Sequence, residues 1–228
     1  MIGIIGAMDM EVAQLRDRMQ DPVSETVSGI EFIRGTLEGQ PAVVARCGVG
    51  KVFAALCAQT MILKYAPDCI INTGVGGTLT SALTIGDVAV SSTVVQYDMD
   101  TSPLGDPVGL VSGINIIHFP ADEALRQSAV AVLSDMGINH CTGTIATGDR
   151  FLCDPVVKAQ LNRDFGAIAC EMEGGAIAHV CYVNEVPFLI LRAISDGADD
   201  QSNMDFPTFA RMAAQHSAEA LAAMLRRM

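Results

Sequence analysis

Apolar residues in this chain fall into short blocks that alternate between two kinds of spacing. Ile2–Ala7 is apolar throughout and predicts a buried strand. Glu11–Met19 follows, with Val12, Leu15 and Met19 spaced as one face of a helix. Residues 28–50 alternate around two turn signals, Arg34-Gly35 and Glu38-Gly39-Gln40-Pro41, and predict a hairpin or meander. Lys51–Tyr65 is an Ala- and Leu-rich helix. Cys69–Thr73 is an apolar strand running into GVGG at 74–77, and Asp87–Tyr97 is a long β-type run. Residues 98–120 are rich in Gly, Pro and Asp and read as an excursion from the core. Beyond them come a helix over Asp122–Met136, a strand over Thr144–Thr147 and a helix over Asp154–Arg163. Next are a strand over Ala167–Met172, a helix over Gly175–Asn184 and a strand over Phe188–Ile194. A last helix runs from about Pro207, with Asp205 as its N-cap and the proline in the first turn.

Strands and helices therefore alternate, and the strands are apolar on both faces. That is the pattern of a mainly parallel sheet covered by helices. With no repeat and no linker, the expectation is one α/β domain over residues 1–228. Hydrophobic residues make up 50% and mean hydropathy is +0.36, so the chain is not of the disordered class. The longest uncharged stretch, Cys69–Gly86, is interrupted by Asn72, threonines and glycines, so no membrane span is expected. The opening MIGIIGAMDMEV reads as a strand rather than a signal peptide. A net charge of −12 repels phosphate backbones and argues against nucleic acid as a partner. The seven cysteines are odd in number and lack CxxC spacing, which fits reduced thiols in a cytoplasmic protein. His179 and Cys181 would point apart on a helix, so no metal site is expected.

In a sheet of this kind, ligands bind beyond the carboxyl ends of the strands. There the sequence places Glu11, Glu173 and Asp196, after three different strands and with no basic cluster facing them. A carboxylate rim with glycines and apolar residues suits a neutral or cationic small molecule. It also suits chemistry through an oxocarbenium-like transition state. Each acid also has a plainer reading: Glu11 as a first-turn helix residue, Asp196 in an Asx-turn before Gly197. Glu173 is harder to dismiss, because the two glycines after it suggest a close approach to the backbone. The GVGG run departs from the dinucleotide fingerprint, and either cradles a ligand or packs tightly. Phe151 is a stacking platform or a core residue. His118 and His179 read as structural, His140 and His216 as exposed, and none is assigned to catalysis.

Six segments occur in a telling order: GIIGAMDMEV at 3–12, CGVGKVFAA at 47–55, INTGVGG at 71–77, GDRF at 148–151, EMEGGAIAHVC at 171–181 and RAISDGAD at 192–199. Together they resemble the bacterial 5′-methylthioadenosine/S-adenosylhomocysteine nucleosidases of the nucleoside phosphorylase superfamily. The resemblance implies a three-layer α/β/α sandwich around a mixed, mainly parallel sheet, a homodimer, no cofactor and no metal. It also implies hydrolysis of the bond between adenine and a 5′-thio-substituted ribose. Asp196 would be the general acid for the imidazole-ring nitrogen of adenine, and its carboxyl should hold a proton near neutral pH in the occupied, dry site. Glu11 would position and activate water, and Glu173 would hold the ribose hydroxyls, with Met172 beside the sugar. Phe151 would stack on adenine and the backbone of Leu152 would read its pairing edge. Ser195 and Arg192 would position Asp196 or its loop, Met8 and Val49 would line the sugar pocket, and Phe206 would flank the 5′-alkylthio group.

Some positions depart from the pattern. Val75 stands where many relatives have Ser, Leu104 where a Phe often flanks the 5′ group, and Gly174-Gly175 should loosen the start of its helix. Three alternatives stand beside the nucleosidase: a phosphorylase using phosphate, an aminodeoxyfutalosine nucleosidase, and a catalytically silent nucleoside-binding module. A phosphorylase needs arginines or free backbone amides for its anion, whereas Glu11 occupies that position here.

Overall fold

The computed structural model of the chain describes residues 1–197 and 206–228, and for Phe206 and Pro207 the backbone alone. The fold is mixed α/β, with a central sheet and helices packed against it. Strand β1 (Ile2–Gly6) is buried along its whole length, because it pairs in parallel with β5 (Cys69–Thr78) on one side and β4 (Gln40–Arg46) on the other. Its side chains alternate between two cores: Ile5 faces one, Ile2 and Ile4 the other. Helices α2 (Lys51–Tyr65) and α5 (Gly174–Val183) contribute to the first core. Helices α1 (Asp9–Asp17), α3 (Glu123–Asp135) and α6 (Phe206–Leu225) contribute to the second.

The meander continues outward through β3 (Ile30–Leu37) to β2 (Gln20–Val27). Both of its hairpin turns put two consecutive residues at positive φ: Ser28 and Gly29 at 52° and 78°, Glu38 and Gly39 at 50° and 86°. That is the turn whose twist matches paired strands. Strand β2 is polar and exposed, and carries Asp21, Pro22 and Glu25, as suits a sheet edge that must not recruit other strands.

On the other side of β5 the sheet closes on itself. Strand β10 (Phe188–Asp196) pairs with β5 and with β6 (Val88–Gln96). Strand β6 pairs with β8 (His140–Thr147), β8 with β9 (Ala167–Glu171), and β9 returns to β5 at Gly77 and Thr78. The result is a five-stranded ring with the meander as its extension. A mainly parallel sheet is not what forms. Of the ten pairings among described strands five are parallel, while the meander, β6–β10, β5–β9 and the short β7 (Phe119–Pro120) on β6 are antiparallel. The hairpins of the meander require reversals of strand direction, and this ring contains two more antiparallel pairs, β6–β10 and β5–β9.

Helix α4 (Pro155–Phe165) lies against β8 and β9. Asp122 and Asp154 cap α3 and α4 through the N–H groups of Leu125 and Val156. The excursion at 98–120 holds one 3-10 turn, Ser102–Leu104, and a bridge between Val111 and Ile116. The predicted N-cap Asp205 lies outside the described residues.

Candidate active site

The carboxyl ends of β1, β5, β9 and β10 surround a cavity of about 180 Å³. Of the twelve positions expected at the site, Met8, Glu11, Val49, Val75, Phe151, Leu152, Met172, Glu173, Ser195 and Asp196 line it. Arg192 does not, and the side chain of Phe206 lies outside the described residues. The wall is largely apolar; its polar side chains are four acids, Arg150 and Ser195. Leu104 is exposed and is not part of this lining.

Glu11 sits in the first turn of α1, where its plainer reading places it, yet its carboxylate turns inward and is buried. Oε2 accepts the N–H groups of Ala7 and Met8 at 2.7 and 2.8 Å, and Oε1 accepts that of Val75 at 3.0 Å. The GVGG run provides the clearance. A Cβ on Gly74 would lie 2.5 Å from Glu11 Oε1, and one on Gly77 2.5 Å from Asp196 Oδ2. Two of the three acids thus press on one strand at positions where only glycine leaves room.

Asp196 ends β10, buried. Its Oδ1 accepts the Ser195 hydroxyl at 3.0 Å, and its Oδ2 accepts Lys158 Nζ at 2.9 Å. Glu173 precedes α5, and its Oε1 accepts the N–H of Gly50 at 2.8 Å. Gly50 is held from the other side: the N–H of Lys51 donates to Asp149 Oδ1 at 2.8 Å, and Lys51 Nζ reaches Asp98 at 2.6 Å. Gly174 and Gly175 do not loosen the helix start. A Cβ on Gly175 would lie 2.8 Å from Gln96 and Thr147, so this turn packs as closely as backbone allows.

Besides the exposed Arg150, two buried cations, Arg192 and Lys158, face the acids, contrary to the sequence expectation. Arg192 is fully buried; its Nη2 donates to Glu171 Oε2 and to Asn72 Oδ1, and lies 3.9 Å from Glu173 Oε2. It therefore serves the Glu171–Glu173 pair, while Ser195 alone of the two expected partners contacts Asp196. The physical reason is charge: carboxylates this deeply buried need counter-ions. Glu171 was not among the expected site residues. It ties the site together, accepting the Thr147 hydroxyl and the N–H groups of Glu173 and Gly174 at 2.9 and 2.6 Å. Lys158 was also missed. Its one signal is its place on α4, three residues before the buried Leu161, on the inward face. No histidine lines the cavity. His118 is exposed rather than structural, and His140 and His216 are half-buried.

The phosphorylase superfamily profile matches residues 1–226. The chain belongs to this superfamily. It is 43% identical to the 5′-methylthioadenosine/S-adenosylhomocysteine nucleosidase of Shewanella sediminis, over 100% of this chain and 99% of that one. Among solved structures it is similar to the nucleosidase of the same name from Neisseria meningitidis in complex with methylthio-immucillin-A. That match has TM-score 0.95 and 33% identity, covering 100% of this chain and 99% of the other. It is also similar to the futalosine hydrolase of Helicobacter pylori, with TM-score 0.94 and 34% identity, covering 100% and 97%.

Electrostatics divide the acids of this superfamily member. Burial pushes the Glu11 carboxyl above the ordinary carboxylate range, against the pull of Arg192 and of the three backbone donors. Burial, and then the neighbouring Glu171 charge, push Glu173 up to about 8. Burial also pushes the thiol of Cys170, in the cavity wall, up to about 12, so it is a neutral wall group and no nucleophile.

A folded-state value above the unfolded one means that the native state binds the extra proton. Stability from Glu173 therefore falls as pH rises from about 4.5 toward 8. Glu173→Gln, which keeps an acceptor for Gly50, is expected to raise Tm relative to wild type, by more at pH 8 than at pH 5. Melting curves across that range check it; a gain that is flat with pH, or a loss, contradicts it.

Proposed function

We propose that this chain is a 5′-methylthioadenosine/S-adenosylhomocysteine nucleosidase. It hydrolyses the N-glycosidic bond and releases adenine and a 5′-thio-substituted ribose. The observation that carries this reading is the convergence of Glu11, Glu173 and Asp196 on one small, largely apolar cavity.

Purine departs poorly as an anion. Asp196 would donate a proton to the imidazole-ring nitrogen as the bond to the sugar breaks, so that adenine leaves neutral. The sugar then carries partial positive charge, which the carboxylates stabilise in a site with little water. Glu11 would hold the attacking water and take its proton as oxygen bonds to the anomeric carbon. Glu173 would bind the ribose hydroxyls, beside Met172. Phe151 would cover the adenine, the backbone of Leu152 would read its pairing edge, and Met8, Val49 and Val75 would line the sugar side. Ser195 would orient Asp196, and Arg192 would balance Glu171 and Glu173 from beneath. Phe206 would flank the 5′-alkylthio group. No cofactor or metal enters this chemistry.

The backbone argues for water over phosphate. The amides of Ala7, Met8 and Val75, which could cradle an anion, all donate to Glu11. Assaying 5′-methylthioadenosine cleavage with and without phosphate tests this. Equal rates and a free thioribose product are expected; a phosphate requirement with a sugar 1-phosphate product identifies a phosphorylase instead. Cleavage of aminodeoxyfutalosine would draw on the same acids, and the likeness to a futalosine hydrolase makes it the second substrate to assay.

The same reading includes a single catalytic domain over 1–228, layered helix–sheet–helix, in a cytoplasmic homodimer. Support for a dimer comes from α2, whose outward face exposes Val52, Phe53 and Leu56 just after cavity residue Val49.

A further inference from the structure

A general acid must carry a proton to its substrate, yet Asp196 is paired with a cation. Lys158 Nζ lies 2.9 Å from Asp196 Oδ2 and 2.6 Å from the carbonyl oxygen of Gly197. The two side chains are only 3% and 6% exposed. The other carboxylate oxygen accepts from Ser195. In this arrangement an amine that can donate a proton stands directly behind the carboxyl of Asp196. Lys158 is absent from the cavity wall, so it reaches a substrate only through Asp196.

We infer that Lys158 is the proton source behind Asp196: as adenine leaves, Asp196 takes a proton from Lys158 and passes it to the purine ring nitrogen. The balance is simple. One N–H bond forms on the purine, an N–H bond of the ammonium breaks, and Asp196 is a carboxylate again. Lys158 is then a neutral amine, which solvent reprotonates after adenine has left. The fold suits the role. Burial of both partners weakens the solvation that favours the charge-separated pair, so a proton moves between them more readily than in water. The amine acts through Asp196, both holding the carboxyl and recharging it. An arginine would hold the carboxyl equally well but keep its proton.

This inference rests on the nucleosidase reading, and its test separates the two. Wild type, Lys158→Ala and Lys158→Arg are assayed for adenine release from 5′-methylthioadenosine, with folding followed by circular dichroism. Lys158→Ala is expected to lose about 100-fold in kcat with KM changed by no more than about threefold. Ethylammonium, which can enter the space left by the side chain and give up a proton, is expected to restore turnover. Tetramethylammonium carries the charge without a transferable proton and is expected not to. Lys158→Arg is expected to stay as slow as Lys158→Ala. Near-wild-type turnover in either variant overturns the inference. So does rescue by both salts or by neither, or a loss matched by loss of folded protein. A wild-type enzyme that releases no adenine removes the underlying reading instead.

Discussion

Asp196→Asn is expected to lower turnover by about 10²–10⁴-fold, the usual worth of a positioned proton donor. Asparagine preserves the shape and the acceptor for Ser195, but cannot relay a proton. It also leaves Lys158 buried beside a neutral amide. Removing one partner of such a pair typically costs about 3–5 kcal/mol. A lower Tm is therefore expected together with the kinetic loss, and the two must be separated. Adding Lys158→Met to Asp196→Asn removes the stranded ammonium, and is expected to recover most of the lost Tm and none of the lost turnover. Turnover that returned with stability would show that Asp196 holds the fold and does no chemistry.

Glu11→Gln is expected to be of comparable size. The amide keeps one oxygen for the N–H groups of Ala7 and Met8. Its NH₂ then faces the N–H of Val75, leaving one unsatisfied donor at a cost of about 1–3 kcal/mol. That is a few degrees of Tm in a chain of this size. The loss that matters is the negative charge, without which neither water nor the developing sugar cation is assisted. Wild-type Glu11 must be ionised to act, and burial raises its titration. Turnover of the wild type should accordingly fall on the acid side at a pH above the ordinary glutamate value of 4.5. In Glu11→Gln this limb should vanish along with most of the rate. Rate and acid limb both intact in the variant would remove Glu11 from the mechanism.

Much of the fold is legible in the chain because its buried strands and helices carry strong periodicity. Helix α2 runs over Lys51–Tyr65, where its pattern places it. Strand β2 is not legible, since an exposed edge strand has no apolar face to betray it. Strand β5 is read as ending at Thr73, because glycines normally signal a turn. It continues to Thr78, because those glycines make space for Glu11 and Asp196. Ring closure is hidden for a related reason: β9 meets β5 in two residue pairs, too few to leave a pattern.

The carboxylates are legible as residues that follow strands, and their motif context names their roles. Their counter-ions are not. Lys158 sits between apolar residues on a helix of otherwise ordinary composition, and Arg192 lies inside a strand whose nine residues are all buried. Only the meeting of β10 with α4 and β9 in space shows that each cation has an acid to neutralise. The excursion at 98–120 holds little regular structure, as its glycines and prolines suggest. Leu104 there is 84% exposed, well placed for a role at a surface rather than in the cavity wall.

The most direct measurement is a crystal structure of the Asp196→Asn variant soaked with 5′-methylthioadenosine. The expected result is an intact nucleoside in the cavity, with its imidazole-ring nitrogen within hydrogen-bond reach of the side chain at 196. The anomeric carbon should face Glu11 and the ribose hydroxyls Glu173. An empty cavity, or a nucleoside whose purine points away from position 196, would contradict the proposal that these three acids act together on one glycosidic bond.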